Sequence, residues 1–191
     1  MKKINLILTL LLLASYTSNA QNKIKPENFK LHSRWSIAAI AGGIVPFGKF
    51  GNLYGNSFSA GAEIAYLAIG HFQVFFNPQY NFLSVKDNSY AGVAGYLELV
   101  AGGRMNFGKI PEIFFVEYGL GEYLHFLSSN TYTGNSESNT NGYFGMKLGT
   151  GGNIPISQRT VFFLKSDFHY IFSPDYNTDY LGIYAGIRYI L

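Results

Sequence analysis

Beyond residue 20 this chain has no apolar run long enough to cross a bilayer as a helix, yet only 13% of its 191 residues are charged. Soluble domains carry about 25% charged residues, and a spanning helix needs roughly 20 consecutive apolar ones. Aromatic residues reach 17% and glycines number 22, an odd mixture for a soluble domain. Inside lipid, only helices and closed barrels satisfy every backbone N–H and C=O internally. With helices excluded, the low charge predicts an all-β chain: an eight-stranded antiparallel up-and-down transmembrane β-barrel.

Period-2 alternation supports eight strands, at about 34–44, 57–69, 72–85, 92–107, 112–126, 142–153, 160–173 and 180–191. In the last, Leu181, Ile183, Ala185, Ile187, Tyr189 and Leu191 make one apolar face, while Gly182, Tyr184, Gly186, Arg188 and Ile190 make the other. The third sets Phe72, Val74, Phe76, Tyr80 and Phe82 against Gln73, Asn77, Gln79 and Asn81. The connections, at 45–56, 70–71, 86–91, 108–111, 127–141, 154–159 and 174–179, tend to alternate long with short. That rhythm suits a barrel with one end outside the cell and the other in the periplasm. Phe and Tyr rings near the strand ends, with Trp35, suit two interfacial girdles; Phe58, Phe82, Phe126, Phe144, Phe172 and Tyr180 are among them.

The parity that turns apolar side chains outward turns nine ionisable ones inward: Arg34, Glu63, Glu98, Arg104, Glu117, Lys147, Lys165, Asp167 and Arg188. Eight strands enclose a space only wide enough for side chains to fill. Charges buried there must pair, because unpaired ones are very costly. The expectation is a salt-bridged plug, with a narrow ion path as its alternative. Glu122 falls on the outward parity, and a β-bulge at Gly119 or Gly121 would turn it inward.

The amino end reads as an export signal. Lys2 and Lys3 precede an apolar run from Ile4 to Ala14, and Ser18-Asn19-Ala20 offers a small-x-small cleavage site. Residues 1–20 are thus expected to be a cleaved signal peptide, 21–33 a periplasmic tail and 34–191 the barrel. Without Lys2 and Lys3, 14 basic residues become 12 against 11 acidic ones. This near-neutral balance argues against a nucleic-acid partner. There is no cysteine, so no disulfide framework exists.

Motifs for chemistry are sparse. His32, His71, His125 and His169 are far apart, and none has metal-ligand spacing. Gly149-Thr150-Gly151-Gly152 lacks the Lys-Ser/Thr and helix of a phosphate loop. No catalytic, cofactor-binding or metal residue is therefore assigned, and no cofactor is expected. A His169, Asp167 and Ser173 set for acyl transfer on lipid A is the one enzymatic alternative, because Asp167 and His169 share a strand face. A soluble lipocalin-like carrier would need apolar inward faces, the reverse of this pattern.

Two local features resemble the small outer-membrane β-barrel family, the OmpA/OmpX-like and opacity-protein-like group in its Bacteroidetes form. One is Val45-Pro46-Phe47-Gly48-Lys49-Phe50 with Tyr54, Gly55, Gly61 and Tyr66 downstream. The other is the end, Gly186-Ile187-Arg188-Tyr189-Ile190-Leu191, similar to the terminal signal read by the barrel assembly machinery. In that signal Gly186, Tyr189 and Leu191 take the key places, and Leu191 stands where Phe is commoner. The resemblance implies an outer-membrane location, with lipid, lipopolysaccharide and the assembly machinery as partners. No peptidoglycan-binding domain is expected after the last strand. A shared fold transfers no activity. Three functions are carried forward: a structural or surface-interaction role through extracellular loops, a lipid A-modifying enzyme, and a narrow small-solute channel.

Overall fold

In the computed structural model, which describes residues 34–86, 94–107, 113–127, 140–173 and 178–191, the alternating segments become eight strands. They are β1 (Trp35–Pro46), β2 (Tyr54–Ile69), β3 (Phe72–Val85), β4 (Ala94–Phe107), β5 (Phe114–Leu127), β6 (Thr140–Pro155), β7 (Thr160–Ile171) and β8 (Thr178–Ile190). Each pairs antiparallel with its sequence neighbours, and β1 pairs with β8 from Ser36–Ile190 to Pro46–Tyr180, closing the barrel. Closure leaves no unpaired edge.

Most connections predicted short are tight. Gly70 and His71 join β2 to β3, and Gly70 takes φ +54°, the positive value that a two-residue hairpin turn requires at its first central position. Between β6 and β7, Ser157 Oγ accepts from the N–H groups of Arg159 and Thr160 at 3.3 and 3.1 Å. This is the turn end of the barrel. At the opposite end the stretch 45–56, expected as a plain loop, instead continues β1 to Pro46 and then forms a short helix, α1 (Gly48–Leu53). Pro46 has no N–H to extend the ladder, and Phe47 N–H bonds Asp179 O at 2.9 Å, steering the chain over the mouth. Lys86 holds the helix: its Nζ donates to Gly51 O and its N–H to Leu53 O.

A proline inside a strand normally argues against that strand, yet Pro78 sits in mid-β3. It lies opposite Ala62 in the register fixed by Gly61–Gln79 and Ile64–Phe76. Asn77 Nδ2 donates to Ala62 O at 2.7 Å, filling the place the proline ring cannot fill.

The bulge expected in β5 is absent. The ladders from β5 to β4 and to β6 run through Gly119 and Gly121 without a shift, so Glu122 stays on the outer face. The irregularities lie between β2 and β3, at Gly55/Phe58 and Leu67/Ile69. Residues 1–20, 21–33 and most of 128–141 carry sequence expectations that lie outside the described residues.

Burial alternates with the strand period: β7 reads buried at Val161, Phe163, Lys165, Asp167, His169 and Ile171, with more open positions between them. The open faces are apolar. Ile37, Ile64, Val74, Phe76, Val116, Leu120, Met146, Leu148, Leu164 and Ile183 form an exposed belt. Phe58, Phe82, Phe126, Phe144 and Phe172 ring it at the helix end, and Trp35, Phe107, Phe114 and Tyr189 at the turn end. Tyr180, expected in the girdle, is instead fully buried in the lumen, because it shares the inward parity of Tyr184 and Arg188.

Candidate functional site

The interior inverts the exterior. Glu63, Glu98, Arg104, Glu117, Lys147, Lys165, Asp167 and Arg188 are all buried in the lumen, drawn from six of the eight strands. Seven of them form one connected network. Arg104 is its centre: its guanidinium gives Nη1 and Nη2 to the two oxygens of Glu63, at 2.7 and 2.5 Å. On its other side Nε and Nη2 bond Glu117 Oε2, at 2.9 and 2.5 Å. A planar fork of five N–H donors suits this double grip in a way a lysine would not.

From the two glutamates the network spreads around the wall. Arg188 Nη2 lies 3.1 Å from Glu63 Oε1, and its Nη1 donates to Asn153 Oδ1. Lys165 Nζ bridges Glu117 Oε1 at 2.9 Å and Asp167 Oδ2 at 2.8 Å. Lys147 Nζ lies 3.4 and 3.7 Å from the same two acids and donates to Asn77 Oδ1 at 3.0 Å. Aromatic faces cover the cations: Arg104 lies over Phe75 and Phe115, Lys147 over Phe75, and Arg188 over Phe163. Gly149 leaves the room this packing needs, because a Cβ there would run into the Asp167 carboxylate.

Arg34 is not part of this assembly. It shares the parity of the buried β1 residues, but it stands one residue before β1 and is exposed. It lines a rim groove with Leu67, Ala68, Ile69 and Gly70.

Glu98 is buried but separate from the seven. Its Oε2 accepts from Tyr180 OH at 3.0 Å and from Asn81 Nδ2 at 3.4 Å, with His169 Nδ1 at 3.7 Å. His169 stacks on Tyr180 with ring centres 4.3 Å apart, and its Nδ1 shares a 2.9 Å hydrogen bond with Tyr123 OH. Tyr96 packs beside Tyr123 and Tyr180 and stacks on His125, which meets Tyr143 edge-on. Phe50 of α1 inserts into the same apolar cluster, with Ile44 and Ile171. This tyrosine layer was not foreseen in the sequence. The inward parity of Tyr96, Tyr123 and Tyr180 was its one available signal.

Among the described residues, His169, Asp167 and Ser173 do not form a triad for acyl transfer. His169 faces Tyr123 and Glu98, Asp167 is taken by Lys165 and Lys147, and Ser173 lies past the end of β7. Among the described residues no group of three His, Asp or Glu side chains is placed to hold a metal ion.

No known family model matches the sequence, and no characterised protein matches it at the sequence level. Solved structures do match the fold. Neisserial surface protein A superposes with a TM-score of 0.69 at 12% identity, over 83% of this chain and 98% of that one. The outer membrane protein OprG of Pseudomonas aeruginosa gives 0.51 at 13% identity, over 83% and 96%. Ail, the attachment invasion locus protein of Yersinia pestis solved with the heparin analogue sucrose octasulfate, gives 0.50 at 15%, over 82% and 97%. The chain therefore has the fold of small eight-stranded outer-membrane barrels.

Proposed function

We propose that this chain resides in the bacterial outer membrane as a non-catalytic barrel, meeting partners through the connections at its helix end. The observation that carries the reading is the inversion of polarity across one wall: exposed apolar side chains outside, ion-paired ones inside. In water that surface would drive aggregation. In lipid it is the stable arrangement. Outer-membrane lipid and lipopolysaccharide are then its immediate surroundings. The signal at residues 1–20 would deliver it to the periplasm, and Gly186, Tyr189 and Leu191 would present it to the barrel assembly machinery.

The Arg104 network supports a plug rather than a channel, since seven charged groups from six strands fill the lumen. A surface-interaction role then falls to the chain emerging at the helix end. Its longest connection, around 128–139, is rich in Ser, Thr and Asn. Three measurements test the reading. The protein should fractionate with the outer membrane and run anomalously on a gel until boiled. It should give no conductance steps in planar bilayers. A variant lacking 128–141 should fold but lose surface binding. Recovery from the soluble periplasm would end the membrane reading, and steady conductance would end the plug.

A further inference from the structure

Among the described residues, three of the four buried acids have basic partners within 4 Å: Glu63 with Arg104 and Arg188, Glu117 with Arg104, Lys147 and Lys165, and Asp167 with Lys147 and Lys165. Glu98 has no Lys or Arg among its partners, and its one charge-capable neighbour is His169. Its contacts converge on Oε2, while Oε1 is fully buried with no hydrogen-bond partner. Two further groups nearby are also buried and unpartnered: Oδ1 of Asn81, whose amide already touches Glu98, and Nε2 of His169, an acceptor when Nδ1 carries the ring proton. The rings of Tyr96, Tyr123 and Tyr180 pack around His169 and one another, and the Tyr96 hydroxyl is buried without a partner as well. The seven-membered network carries four basic groups against three acids, and this excess offsets Glu98 only at a distance.

A buried carboxylate is stable when it is paired or when it coordinates a cation. Unused carboxylate and amide oxygens, with the His169 ring nitrogen in that tautomer and the Tyr96 hydroxyl oxygen, offer lone pairs that a cation can take. We propose that Glu98, with Asn81 and His169, forms an internal site for one small monovalent cation of the potassium or ammonium type. A single carboxylate with neutral acceptors does not supply the charge a divalent ion needs. The ion neutralises Glu98 where no side chain does, and ties β3, β4 and β7 together beneath α1.

The test compares the protein folded in detergent with potassium, ammonium or N-methyl-D-glucamine chloride at equal ionic strength, the last cation being too bulky for the lumen. Unfolding is followed by urea titration. The wild type should unfold at higher urea in potassium or ammonium, and the midpoint should rise with the logarithm of cation concentration. Glu98→Gln should lose that dependence. Tyr180→Phe, which keeps the carboxylate but removes one donor, should keep it and enlarge it. Crystals soaked in thallium should show an anomalous peak against Glu98. Equal midpoints in small and bulky cations, a dependence surviving in Glu98→Gln, or thallium at other places only would overturn the proposal. If Glu98→Gln does not fold, Tyr180→Phe and the thallium position decide. No surface partner enters these measurements, so their failure leaves the proposed surface role untouched, and the reverse also holds.

Discussion

The two halves of the lumen solve one problem with different chemistry. Toward the turn end, Arg104, Lys147, Lys165 and Arg188 interlock with Glu63, Glu117 and Asp167, and most of these groups reach two partners. Toward the helix end, stacked rings fill the space around one carboxylate held by neutral groups. Ion pairs demand particular partners, whereas ring packing tolerates many arrangements. The first half should therefore be the part that fixes which strands face one another, and the second the part that yields first.

That contrast can be broken by mutation, with unfolding in lipid followed through Trp35, the single tryptophan. Arg104→Met should do the most damage, because it leaves Glu63 and Glu117 facing each other without the fork between them. Losing one partner of a buried ionic cluster costs about 3–5 kcal/mol, seen as a drop in urea midpoint or a failure to fold. Arg188→Met should cost about 1.5–3 kcal/mol, the range for hydrogen bonds to charged groups, since Glu63 keeps its grip on Arg104. Tyr180→Phe in the helix-end half should cost about 1.5 kcal/mol in sodium-free buffer, the low end for a hydrogen bond to a charged group, because Glu98 keeps Asn81 as a donor. If Tyr180→Phe proved worse than Arg104→Met, the ranking of the two halves would be reversed.

The smallest effect sharpens the comparison from outside the wall. Glu122 lies on the same strand as Glu117, but it faces outward between Leu99 and Phe144. Its carboxylate leans over Gly142, where a Cβ would meet Oε1. It sits level with a girdle ring, so the lipid-facing penalty for an acid is small there. Glu122→Leu should gain about 0–1 kcal/mol, measured as a slight rise in the same midpoint. A loss on making that change would mean the outer carboxylate has a partner in the membrane.

Much of this was legible because a strand has only two faces. Counting by twos set Glu63, Glu98, Arg104, Glu117, Lys147, Lys165, Asp167 and Arg188 on one face of their strands, and all eight are buried. The same count failed at Arg34, which stands before the strand begins and is exposed. It succeeded at Glu122, where a bulge was invoked needlessly: Gly119 and Gly121 both fit the ladder as ordinary members. α1 could not be read from Gly48-Lys49-Phe50-Gly51-Asn52-Leu53, which is too short for a helical period. Lys86, distant in sequence, holds it in place. Pairing inside the lumen was equally hidden, since it depends on which strands stand opposite, as with Arg188 and Glu63, 125 positions apart.

Asn77 has a consequence for how this sequence can drift. Its amide nitrogen serves the β2 backbone opposite Pro78, while its oxygen receives Lys147 from across the lumen. Position 77 is thus answerable to a neighbour in the chain and to a cation on a remote strand at once. An aspartate there would satisfy the lysine and abandon the carbonyl; a lysine would do the opposite. Relatives that lose the proline should be free to carry aspartate at 77, which still meets the lysine, and those that keep it should not.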